Sequence, residues 1–261
     1  MKIKIDYLFL LYVTGAFLLG FLLEMIICLV IIILHELGHL MAMRICNWKV
    51  DEFRLSIFGG SIQYEEEANR DMYEEWFVVI AGPFVHTLIY SISIAMYPIY
   101  ESDLIQMILF YNMIILIFNL LPIYPLDGGR MILLMFEHFL PIYYARKVVY
   151  MISICIVIML GITLLIKQMI PLLFVLIILS FLHLNIKHLQ YMMEHFTYDL
   201  FKRRNSNVNY KMVFKHVRND RFEKLIKLIK RNKRTIFIVP VEGRHYLITE
   251  NEVMDTYFNN K

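Results

Sequence analysis

The chain has 261 residues, of which 59% are hydrophobic and 19% charged, with a formal net charge of +3. A soluble domain carries about 25% charged residues, and the shortfall here is gathered into long uncharged runs. That pattern excludes an ordinary soluble enzyme and points to a chain written for lipid.

In chain order, uncharged stretches run from Tyr7 to Leu23, Trp76 to Tyr100, Leu104 to Leu126, Val148 to Ile166 and Gln168 to Ile186. Each is near the length a helix needs to cross a core of ~30 Å at ~1.5 Å per residue. Another, Met25 to about Ile45, is broken only by Glu36, Arg44 and two histidines. Six transmembrane helices are expected. Met1-Lys2-Ile3-Lys4 has the charged start of a signal sequence, but no small-residue cleavage site follows, so a retained first span is expected. Cys28, Cys46 and Cys155 have no metal-ligand spacing and read as packing.

The second run contains His35-Glu36-Leu37-Gly38-His39. Histidines at i and i+4 share one helical face, as two ligands of one zinc should. Glu36 beside them can take a proton from an activated water and pass it to a leaving amine. A carboxylate in mid-span costs roughly 2.5–3.5 kcal/mol unless compensated. A bland alternative pairs Glu36 with Arg44 or a histidine.

Between spans two and three, Phe53 to Tyr64 alternates as a short hairpin with Gly59-Gly60 at its turn. Strand edges near a metal let a substrate pair as an added strand, which extends a helical segment before cleavage. Glu65-Glu66-Glu67 reads as a solvated face. A catalytic zinc wants a third protein ligand. The best candidate is Asp127, in Asn119-Leu120-Leu121-Pro122-Ile123-Tyr124-Pro125-Leu126-Asp127-Gly128-Gly129-Arg130. Its two prolines break the helix, and broken backbone at membrane depth is tolerated where it lines a cavity or is buried in protein. An ordinary helix-end acid is the alternative.

Six spans put both termini on one side, and 25 of the 26 Lys and Arg residues then share that side, Lys167 being the exception. The positive-inside rule makes it cytoplasmic. The expected organisation is an all-α polytopic membrane domain over 1–190, a linker over 191–204 and a small α+β domain over 205–261. In that last part Phe222, Leu225, Ile226 and Ile229 keep helical spacing. Thr235–Val241 and His245–Ile248 read as strands about a turn at Glu242-Gly243-Arg244. Thr249 with Glu252 forms a capping box. The pattern resembles one cystathionine-β-synthase (CBS) repeat, which needs a second copy to bury enough surface. Its basic charge sits beside a membrane and without a recognition motif, so lipid headgroups are the expected partner and nucleic acid is not.

His-Glu-Leu-Gly-His in one span and Asn-x-x-Pro-x-x-Pro-Leu-Asp-Gly-Gly-Arg in a later one resemble the two signatures of the site-two protease family. The resemblance implies an intramembrane zinc (Zn2+) metalloendopeptidase, with His35, His39 and Asp127 as ligands, Glu36 as base and Asn119 as a polar partner near the scissile bond. Ala81-Gly82-Pro83 also matches, but the chain has His86 where the family usually has Asn. His86 is either a donor to the transition-state oxyanion or a buried core histidine. Six spans followed by a CBS-like domain resemble the sporulation branch, which removes the prosequence of a sigma-factor precursor (pro-sigma-K). That branch implies a mother-cell location in the outer forespore membrane, regulatory membrane partner proteins, homo-oligomers through the CBS-like domain, and ATP sensing there. The alternatives are cleavage of a membrane-tethered anti-sigma factor or, in another class, a zinc-binding membrane transporter.

Overall fold

The computed structural model describes residues 2–5, 14, 17, 20–56, 59–64, 70–98, 102–167, 172–204, 211–217, 222–241 and 244–259. The chain divides into two compact units. The first comprises Met1–Glu66, Tyr73–Leu121 and Leu126–Gly128, and the second Glu67–Met72, Pro122–Pro125 and Gly129–Lys261.

In the first unit the elements are β1 (Lys2–Ile5), α1 (Leu22–Ile45), β2 (Val50–Ser56), β3 (Gly59–Tyr64), α2 (Met72–Met96) and α3 (Asp103–Asn119). Helix α1 ends where Asn47 turns left-handed at φ 57°, a conformation Asn tolerates. The Trp48 N–H then closes on Met43 O at 2.8 Å. Trp48 is buried with Ala42, Met43 and Val78, and its indole N–H donates to Glu74 Oε2 at 3.0 Å. This pins the end of α1 to the start of α2. Gly38 permits close packing of the pair, because a Cβ there would lie 2.6 Å from Val85 Cγ2 and 2.7 Å from Ala81 O. Small residues at helix crossings let membrane helices approach in this way.

The sheet has order β1-β2-β3, with β1 parallel and β3 antiparallel to β2. Lys4 Nζ pairs with Glu52 Oε2 at 2.6 Å. Lys2–Ile5, in the segment expected to open like a signal sequence, thus supply an edge strand. Gly59 and Gly60 lie inside β3, opposite Ser56 and Leu55, and not at the hairpin turn. Glycine is disfavoured within strands, which is why the sequence pattern placed them in the turn. Glu65-Glu66-Glu67 and most of the expected first span lie outside the described residues.

The second unit holds α4 (Asp127–Phe139) from Gly129 onward, α5 (Ile142–Ile166), α6 (Leu172–Gln190) and α7 (Met192–Arg204). After these come β4 (Lys211–His216), α8 (Phe222–Ile226), β5 (Lys233–Val241), β6 (Arg244–Thr249) and α9 (Glu250–Asn259). The proline-rich loop before α4 is fastened by two buried polar residues. The Tyr124 N–H donates to Ser153 Oγ at 2.9 Å, and its carbonyl accepts from Asn185 Nδ2 at 2.7 Å.

The C-terminal sheet has order β4-β5-β6, with β4 parallel and β6 antiparallel to β5. Leu225, Ile226 and Ile229 bury against Phe237, Val239, Val253, Met254 and Tyr257, and Phe196 and Leu200 of α7 complete this core. The segment expected to be a linker is therefore a packed helix. Thr249 and Glu252 form the reciprocal capping box, with the Thr249 N–H on Glu252 Oε2 at 2.8 Å and the Glu252 N–H on Thr249 Oγ1 at 3.3 Å. Buried Arg203 pairs with buried Glu250 at 2.7 Å and also donates to the Lys230 and Lys233 carbonyls. Glu137 accepts from Arg231 at 2.6 Å, and Arg146 lies 3.6 Å from Glu137 and 2.6 Å from Asp199.

Six spans are not what the described residues contain. Helices α1, α2 and α5 are long and apolar enough to cross a membrane, and a bent pair, Phe174–Gln190 with Met192–Arg204, raises the number to four if it counts as one span. Helix α3 is apolar but only 17 residues long. It stops at Asn119 because Pro122 and Pro125 lack the N–H groups that would continue it.

Candidate metal centre

The first unit brings His35, His39 and Asp127 together, each at most 7% exposed. His39 and His35 sit one turn apart on α1, and the carboxylate enters from the first residue of α4. His39 Nδ1 faces the Val78 carbonyl at 2.8 Å, so Nδ1 carries the proton and Nε2 turns its lone pair inward. His39 Nε2 and His35 Nε2 are 3.1 Å apart. Asp127 Oδ2 stands 3.1 Å from His35 Nε2 and 3.3 Å from His39 Nε2.

The His39 Nε2 lone pair, the Asp127 carboxylate and His35 Nε2 converge so closely that the three are placed to share one cation. Ligands at ~2.05 Å from a tetrahedral zinc stand about 3.3 Å apart, which is the spacing seen. Two imidazoles and one carboxylate also leave a fourth position open, as a catalytic zinc requires. The residues fit a zinc ion.

Gly82 of α2 shapes one wall. A Cβ there would overlap His39 Nε2 and lie 2.6 Å from His35 Cε1. Glu36 is half-buried on α1 beside His35. Asn119 is half-buried at the last residue of α3. Gly128, the second residue of α4, packs against the Leu120 and Leu121 carbonyls, where a Cβ would overlap both oxygens, so only a glycine lets the chain fold back at the start of α4. His86 is fully buried one turn beyond Gly82, its ring centroid 5.0 Å from that of His35. Gly59 and Gly60 take their places in the β1-β2-β3 sheet.

Asn112 is the residue sequence reading passed over. It is 1% exposed on α3, and its Oδ1 accepts from His86 Nδ1 at 2.8 Å while its Nδ2 donates to the His86 carbonyl at 3.0 Å. The signal was an amide in the middle of an apolar helix, where membrane depth requires a hydrogen-bonded partner; of Gln106, Asn112 and Asn119 on α3, only Asn112 is buried.

A helical membrane protein with a His-His-carboxylate cluster at a helix break is the class this fold and site define. The Peptidase family M50 profile matches residues 23–102 and 99–160. The chain belongs to Peptidase family M50. It is 37% identical over 139 residues to stage IV sporulation protein FB of Bacillus subtilis, covering 52% of this chain and 48% of that protein. It is 30% identical over 106 residues to a Synechocystis protein provisionally named a zinc metalloprotease, covering 39% of this chain and 28% of that one. The matches thus span half or less of these relatives' lengths. The site-2 protease from Methanocaldococcus jannaschii has the same fold, with a TM-score of 0.58 at 20% identity over 72% of this chain and 90% of that one.

Proposed function

We propose that the chain is an intramembrane zinc metalloprotease that hydrolyses a peptide bond in a membrane-associated protein. The observation that carries this reading is the mutual approach of His35 Nε2, His39 Nε2 and Asp127 Oδ2 at 3.1–3.3 Å. These three atoms would hold the ion. Zinc, when bound, acidifies water and polarises the scissile carbonyl. Glu36 takes the proton of the attacking water and returns it to the leaving amine. Asn119 hydrogen-bonds the substrate backbone beside the scissile bond. The β3 edge, with Gly59 and Gly60, pairs with the substrate as an added strand and draws it out of helix.

The likeness to stage IV sporulation protein FB supports pro-sigma-K as the substrate, with the enzyme in the outer forespore membrane facing the mother cell and held in check by membrane partner proteins. Both termini are cytoplasmic in this reading, which the lysine and arginine distribution supports. Homo-oligomers form through the C-terminal sheet. Its outer face presents Met212, Phe214 and Leu247, 66%, 59% and 61% exposed. Nothing among the described residues supports ATP binding there, and it is not part of the proposal.

Glu36→Gln tests the reading, because it keeps shape and removes the base. Co-expressed with pro-sigma-K, the variant keeps its zinc and leaves the precursor uncut. Cleavage at the wild-type rate removes Glu36 from the mechanism. Cleavage of a membrane-tethered anti-sigma factor in place of pro-sigma-K reassigns the substrate and leaves the chemistry standing.

A further inference from the structure

Two buried nitrogens beside the cluster have no hydrogen-bond partner among the described residues: His35 Nδ1 and His86 Nε2. They belong to neighbouring rings, with centroids 5.0 Å apart and planes at 47°. A metal-ligating histidine almost always donates its other ring N–H to an acceptor, which fixes its tautomer and orientation. His39 has such an acceptor in the Val78 carbonyl. His35 lacks one.

Asn112 settles what His86 offers. A backbone carbonyl can only accept, so the Asn112 atom 3.0 Å from the His86 carbonyl is the amide nitrogen. Its oxygen therefore faces His86 Nδ1 at 2.8 Å, and that nitrogen must carry the proton. In the neutral ring Nε2 is then a bare lone pair. This is the wrong polarity for a neutral oxyanion donor and the right polarity for receiving the N–H of His35. Leaving both nitrogens unmatched in a buried site forfeits their hydration with nothing in return, so the pair has a reason to close.

We propose that His86 is a positioning residue, its Nε2 accepting the His35 Nδ1–H through one bridging water and so orienting the His35 ring toward the cation. The chain Asn112, His86, water, His35 then fixes one ring from α2 and α3, while Val78 fixes the other. A histidine, longer than the Asn usual in the family, has the reach to stand behind its neighbour's ring. The inference rests on the zinc reading of the cluster.

The test measures zinc affinity of the full-length protein in detergent against a competing chelator, with His35→Ala as the control that separates the two ideas. His86→Phe keeps the ring shape without nitrogen and is expected to weaken zinc by about 10–100-fold, the usual effect of losing such a partner. His86→Gln restores an acceptor and stays within about threefold of wild type by the same reasoning. Asn112→Leu, which frees the His86 ring to adopt the other tautomer, weakens zinc in the same direction as His86→Phe. In the cobalt-substituted protein the visible bands shift in His86→Phe and not in His86→Gln. Equal affinity of wild type and His86→Phe overturns the proposal, and so does equal loss in the Phe and Gln variants. A wild type that binds no more zinc than His35→Ala overturns the metal reading instead.

Discussion

His39 Nε2 occupies the space that a methyl group on Gly82 would need. Helix α2 therefore presses directly on the ligand atoms of α1, and the distance between the helices sets the distance between the rings. Gly82→Ala is expected to displace one or both imidazoles. Overpacking costs about 1–3 kcal/mol, and here the displacement falls on the metal site. Zinc content of the purified variant should drop well below one per chain, with proteolysis lost in parallel. Full zinc occupancy would show that α2 can move aside.

Asp127→Asn keeps the shape of the side chain and removes its charge. Oδ2 is the atom that meets both imidazole nitrogens, so zinc should leave the variant more readily during dialysis against a chelator. The two histidines alone are expected to retain it at least tenfold more weakly, in line with losing a contribution of about 1.4 kcal/mol or more. Unchanged retention removes Asp127 as a ligand.

Arg203 and Glu250 are 4% and 3% exposed and form one pair in the second unit. Arg203→Ala strands a buried carboxylate and also leaves the Lys230 and Lys233 carbonyls without their donor. Breaking one side of such a pair costs about 3–5 kcal/mol. Glu250→Gln is expected to be milder, because the amide still fills the site. A thermal melt of both variants ranks them, and a reversed order refutes the argument.

The same pair gives a pH dependence. Burial pushes the Glu250 carboxyl above its usual range, against the opposing pull of Arg203 and the Thr235 N–H. A carboxyl with a higher pKa in the fold than in the unfolded chain favours the fold when protonated. That contribution is fully present below the unfolded value of about 4.3 and fades as pH rises through the folded value. Relative to wild type, Glu250→Gln should therefore gain stability between pH 4 and neutrality. Parallel melting curves over that window would remove the effect.

The outer face of the C-terminal sheet invites association. Phe214→Asp places a charge among Met212, Leu247 and the half-buried Ile236 and Ile238, which share that face by register. Sedimentation of the detergent-solubilised protein is expected to shift toward the monomer. An unchanged oligomer would move the interface elsewhere.

Much of the metal cluster was legible in the order of residues. His35 and His39 had to share a face at i and i+4, and the prolines before Asp127 had to break a helix, because both follow from local geometry. Thr249 and Glu252 met as a capping box for the same reason. The strand β1 was not legible, since four residues carry no periodicity and Lys2–Ile5 is a strand only through its pairing with β2. Gly59 and Gly60 misled because local propensity favours a turn and the sheet register overrode it. Arg203 fell within the segment expected to be a linker, and only folding carries it to Glu250.

The five residues His35-Glu36-Leu37-Gly38-His39 by themselves determined the expectation of a zinc-hydrolase chemistry, and the apolar run around them that of a membrane as its solvent. Helical periodicity and hydropathy are properties of neighbours in the chain, so they survive without a fold. What only the tertiary structure decided is which atoms complete the site. Asp127 reaches it across 88 residues from His39, Gly82 sets the room left for the rings, and Asn112 chooses the nitrogen that His86 presents. Those are contacts between separate helices, and their distances follow from how closely the helices pack.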